Sequence, residues 1–169
     1  VLAELFGIGH AFDRLADEHG LGKRERLLLE IAGYLHDVGT FIRTSGHHKH
    51  SEYIIANSEI FGLQRDDLTI IANCARYHRK ASPSSAHPSF MSLSREDRIQ
   101  VLKLSALLRV ADALDRGHTQ RVRIADTERK EDHLVIRVED GGELTLERLS
   151  LEEKGDMFED VFGIKAVLA

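Results

Sequence analysis

His36 and Asp37 place an imidazole beside a carboxylate at the end of a strongly apolar segment, residues 27–35. That segment is apolar on nearly every side, which marks a buried helix rather than a surface one. A carboxylate buried there costs on the order of several kcal/mol unless it is paired, hydrogen-bonded or bound to a cation. Two more groups share that context. His78 continues the apolar stripe of Leu68, Ile71, Cys74 and Ala75, and Asp112 sits among Leu107, Leu108, Val110, Ala111, Ala113 and Leu114. Imidazoles and carboxylates from separate helices make a site for a divalent ion, and such a mix leaves Mg, Mn, Fe and Zn all open. The ion would activate a water and polarise a phosphoryl oxygen. Each residue also has a purely structural reading: His78 satisfied by a backbone carbonyl, Asp112 paired with Arg109 or Arg116.

Two basic runs complete the set. Ser45 and Gly46 lead into His47, His48, Lys49 and His50, and Tyr77 and His78 lead into Arg79 and Lys80. Four imidazole or ammonium groups in a glycine-opened turn suit phosphate. The plain alternatives are a solvated loop for the first run and, for the second, a cationic helix end that complements the dipole.

The elements that must position these groups are mostly helices. Residues 1–19 carry apolar residues at helical spacing, with Gly20 as the stop. A second helix is expected from about Lys23 to Val38 and a third from about Ser51 to Phe61, ended by Gly62. A fourth opens at Arg65–Asp67, whose acids suit a helix N-terminus, and runs to His78. Residues 81–94, with both prolines, read as a long loop. Ser94 and Asp97 resemble a capping box opening a helix to about Arg116. Beyond Gly117 the period changes to that of a half-buried strand at Leu134, Ile136 and Val138. Residues 140–143 signal a hairpin whose partner strand starts at Leu144 and Leu146. Val122–Ala125 and Ile164–Leu168 are candidate edge strands, and Ser150 with Glu153 is a second capping-box match opening a short helix through Met157, Phe158, Val161 and Phe162.

Composition narrows the function classes. The 169 residues suffice for one domain, or one with a small appendage. The net charge of −5 hides a basic middle: residues 41–121 hold 12 basic and 8 acidic groups, and His36 at its border with six histidines inside it makes seven of the ten. Overall acidity argues against bulk nucleic-acid binding, whereas a local basic focus suits a small or linear polyanion. One cysteine, Cys74, excludes an internal disulfide and fits a reducing cytoplasm. No apolar run reaches about 18 residues, so no membrane span is expected. A chain opening on Val1 without a signal peptide is expected to be a piece of something longer.

Several motifs in order carry a resemblance. His36-Asp37 followed far downstream by Asp112 in Ala111–Arg116 resembles the HD superfamily of helical metal-dependent phosphohydrolases. More narrowly, residues 35–39, 45–51, 75–80 and 107–116 are similar to the C-terminal region of exopolyphosphatase/guanosine pentaphosphate phosphohydrolase proteins. The likeness extends over nearly the whole chain, including Leu146-Glu147-Arg148 and residues 158–163. It implies a mainly α architecture: a helical HD-like bundle over residues 1–120, then a small α/β subdomain over 121–169. It further implies an accessory part that binds polyphosphate or a phosphorylated nucleotide through His47, His48, Lys49, Arg76, Arg79 and Lys80. That part would hand the chain end to an N-terminal actin-like domain of the same protein. The rival expectation is a stand-alone enzyme in which His36, Asp37, His78 and Asp112, with His50 as a further candidate, hold a divalent metal and hydrolyse a nucleotide or other phosphoester. A third is a homodimer interface.

Overall fold

In the computed structural model, residues 9–115, 122–139 and 143–169 are described. The expectations for Leu2, Leu5, Phe6 and Ile8, for Arg116, and for the turn at residues 140–142 lie outside them. Residues 9–14 are helical and lead into α1 (Ala16–His19), which stops at Gly20 in a left-handed conformation. Helix α2 (Lys23–Leu35) opens where the Gly22 amide donates to Glu25 Oε2 at 2.7 Å. After His36 and Asp37 a single 3-10 turn, Val38–Phe41, redirects the chain. Helix α3 (His47–Ala56) follows, then α4 (Arg65–Tyr77), where the Gln64 amide donates to Asp67 Oδ2 at 2.7 Å. A short α5 (Pro88–Met91) interrupts the expected loop. Helix α6 (Arg95–Leu114) starts as read from the sequence, with the Asp97 amide donating to Ser94 Oγ at 3.0 Å.

The α/β part comprises β1 (Ile124–Arg129), β2 (His133–Val138), α7 (Thr145–Lys154), α8 (Asp156–Phe162) and β3 (Lys165–Leu168). Strands β1 and β2 pair antiparallel with Thr127 opposite Ile136, and β2 pairs parallel with β3, His133 opposite Lys165. Parallel neighbours need a long crossover, and here α7 and α8 supply it. Their buried side chains Leu151, Met157 and Phe158 join Leu134 and Ile136 of the central strand in one core with Leu104, Leu107 and Leu108 of α6. The fold is therefore a mainly α bundle with a small three-stranded α/β part. Among the described residues, no helix is long and apolar enough to cross a membrane.

Three sequence expectations are corrected. Leu144 and Leu146 do not start a strand: they introduce α7, and two leucines one residue apart fit either period. Leu144 and Leu151, seven apart, face the core while Leu146 stays exposed. Ser150 caps nothing; it is buried inside α7, and the next helix begins at Asp156. The run His47–His50 is not a loop but the first turn of α3, because Gly46 takes φ 73° and turns the chain directly into the helix. That helix stops at Ala56, where the Asn57 side chain donates to the Tyr53 carbonyl at 2.8 Å. Cys74 is core: burial pushes its thiol up to about 12, so it is not a nucleophile at neutral pH.

Candidate functional site

Three histidines from three helices meet at the end of α2. Each is oriented by the same device, a ring Nδ1–H donating to a carbonyl three residues back. His36 reaches Gly33 at 2.7 Å, His47 reaches Thr44 at 2.9 Å and His78 reaches Ala75 at 2.5 Å. A ring that donates from Nδ1 turns its Nε2 away from that carbonyl, so all three Nε2 atoms are left for the space between the helices. His47 and His78 Nε2 atoms stand 3.2 Å apart. Asp37 enters the same space: its Oδ1 is 3.1 Å from His47 Nε2 and 3.6 Å from His78 Nε2, and its Oδ2 is 3.6 Å from His36 Nε2. Asp112 Oδ1 lies 3.8 Å from His36 Nε2.

Burial and charge sharpen the picture. His78 is pushed down to about 3, first by burial and then by the neighbouring His36, against the pull of Asp112 and Asp37; its ring is neutral at ordinary pH. His36 Nε2 is buried and has no hydrogen-bond partner among the described residues. Burial raises the Asp112 carboxyl, but the Lys154 ammonium and then His78 outweigh it, and the net shift is downward. Lys154, the last residue of α7, makes a buried ion pair with Asp112 Oδ2.

This donor set fits a divalent metal. Ligands on one ion at about 2.1 Å stand roughly 3.0–3.4 Å apart, close to the separations that His47 keeps from Asp37 and His78. The ligand atoms of His36, Asp37 and His78 all fall within 4.8 Å of one another. An orphaned imidazole nitrogen and facing Nε2 atoms are unfavourable until a cation or proton enters. Nδ1 donation to a carbonyl is the outer contact that fixes ligand histidines elsewhere.

The structure thus gathers His36, Asp37, His78 and Asp112, and it adds His47, which the sequence placed with the phosphate-binding group. His50 sits on the side of α3 facing Gly39, outside this grouping. Asp112 pairs with Lys154 and not with Arg109, which turns to the Tyr77 and Ala81 carbonyls and to Asp156.

The basic runs meet beside the cluster, the start of α3 against the end of α4. His48 lies among His47, Arg79, Arg76 and Lys49, whose charges add to its own burial in lowering its pKa. Arg76 is paired with Glu52. Lys49 and Lys80 are exposed and Arg79 is half-buried. His48 Nδ1 and Arg76 Nε are buried without a hydrogen-bond partner among the described residues.

The helical fold thus brings imidazoles, carboxylates and cations together on one face. The chain belongs to the Ppx/GppA phosphatase family: its residues 8–154 match the family model "Ppx/GppA phosphatase, domain III". It is also similar to the guanosine-5'-triphosphate,3'-diphosphate pyrophosphatase of Pseudoalteromonas translucida (strain TAC 125), at 36% identity over 52 residues. That stretch is 31% of this chain and 10% of the relative, so the match spans about a tenth of the curated protein.

Proposed function

We propose that this chain is the C-terminal part of an exopolyphosphatase-like phosphohydrolase. It binds polyphosphate, or a related phosphorylated polyanion, for hydrolysis by an N-terminal actin-like domain of the same protein. The observation that carries this reading is the cation patch. Lys49, Arg76 and Arg79 surround His48, and Lys49 and Lys80 are exposed beside it. Phosphate oxygens are strong acceptors for such cations, and a linear polyanion would run over His47, His48, Lys49, Arg76, Arg79 and Lys80.

Binding of short polyphosphate is expected to weaken at least about tenfold between 0.01 M and 0.15 M ionic strength, as the screening length shrinks from about 30 to about 8 Å. Because the His48 pKa is lowered, its added charge enters only below the usual imidazole range, so affinity keeps rising as pH falls past about 6.5. The double change Arg79→Ala with Lys80→Ala should weaken binding with the fold intact. Calorimetric titration at two salt concentrations decides the matter, and no binding at low salt removes the reading.

The facing Nε2 atoms favour a second reading, a direct metal-dependent phosphohydrolase. His36, Asp37, His47, His78 and Asp112 would hold the ion, which when bound supplies an activated water and a polarised phosphoryl oxygen. The expected result is that Asp37→Ala abolishes Mn²⁺ binding, and that a chelator lowers the melting temperature of the metal-loaded chain, since ligand binding energy is also folding energy. A melting temperature indifferent to both metal and chelator would leave only the cation patch. Turnover of a nucleotide or phosphoester by the chain alone separates this reading from the first.

A further inference from the structure

We infer that Lys154 is a built-in cation that limits the histidine–aspartate cluster to a single divalent ion. The inference rests on the metal reading above and deepens it. Two-ion centres hold their metals about 3.5–4 Å apart and need ligands that serve both. The oxygens of Asp37 are already divided, Oδ1 toward His47 and His78 and Oδ2 toward His36. Asp112 is the other carboxylate of the cluster. Its Oδ1 faces His36, and its Oδ2, the atom available to a second ion, is taken by the Lys154 ammonium.

Charge leads to the same result. Asp37 and Asp112 bring two negative charges and Lys154 one positive, so one dication leaves the pocket only one charge away from neutrality, at +1. A second would add two uncompensated charges to a buried site, where each is costly. The end of α7 that carries the lysine is closely packed. The Gly155 amide donates to the Leu151 carbonyl at 2.8 Å, and any side chain at Gly155 would collide with that carbonyl. Lys154 itself is buried.

The test is a Mn²⁺ titration of the chain by equilibrium dialysis, with electron paramagnetic resonance of the loaded protein. Wild type should bind one ion and give the six-line spectrum of an isolated centre. Lys154→Met, which removes the ammonium at similar volume, should bind two, with the broadened spectrum of a spin-coupled pair. Lys154→Gln should do the same. Its neutral amide removes the charge and, unlike the ammonium, can yield Asp112 Oδ2 to a second cation, so it decides the question should the Met variant not fold. Two ions in wild type, or one in a folded variant, overturns the inference. No ion in wild type or in either variant overturns the metal reading beneath it.

Discussion

Replacing Gly39 with alanine will destabilise the protein by about 3 kcal/mol or more, at or beyond the upper end of overpacking costs. It will also disturb the histidine cluster. A Cβ at residue 39 would overlap the His47 carbonyl and the Ser51 amide and come within 2.8 Å of His50 Cβ. Two of those neighbours are backbone in the first turns of α3, so no side-chain rotation relieves the clash. The Gly39 amide also donates to Ser51 Oγ at 2.9 Å, which fixes the 3-10 turn against α3. Pushing the two elements apart moves His47 away from Asp37. For a domain of this size the loss corresponds to a melting temperature lower by roughly 6–12 °C, and Mn²⁺ affinity should fall with it. Calorimetry that finds Gly39→Ala as stable as wild type would contradict the packing described at this turn.

Arg109→Met is expected to cost a further large amount, about 2–6 kcal/mol, because it orphans two carbonyls at roughly 1–3 kcal/mol each. The guanidinium is fully buried and donates from Nε to Tyr77 at 2.8 Å, from Nη2 to Ala81 at 2.7 Å and from Nη1 to Asp156 Oδ1 at 3.1 Å. Tyr77 ends α4, where carbonyls lose their helical partners. Arg109 therefore holds both sides of the segment that carries His78, Arg79 and Lys80, and its loss should weaken polyphosphate binding along with the fold. A lysine cannot reproduce the planar three-way fork, so Arg109→Lys should recover little. Urea denaturation that ranks Arg109→Lys with wild type would show that the fork is not what matters.

Much of this arrangement was legible in the order of residue types. A carboxylate and imidazoles amid leucines demand partners, and His36, Asp37, His78 and Asp112 do face one space. Ser94 and Asp97 announce a helix start whose geometry depends only on neighbours in sequence. His47 was not legible in that way. Four basic residues after a glycine look alike in sequence, and only the φ of Gly46 and the contact at Gly39 determine that His47 turns inward and Lys49 outward. Lys154 was less legible still. A lysine before a glycine reads as a helix end complementing its dipole, and nothing nearby points to a carboxylate 42 residues earlier. Leu144 and Leu146 are too short a signal, since a two-residue alternation does not distinguish a strand from the first turn of a helix.

The span between Asp112 and Lys154 also sets an order of events during synthesis. At about 5–20 residues per second, a ribosome needs roughly 2–8 s to add the 42 residues between the carboxylate and its ammonium. Throughout that interval a nascent chain possesses the three histidines and both aspartates but not the lysine that neutralises one of them.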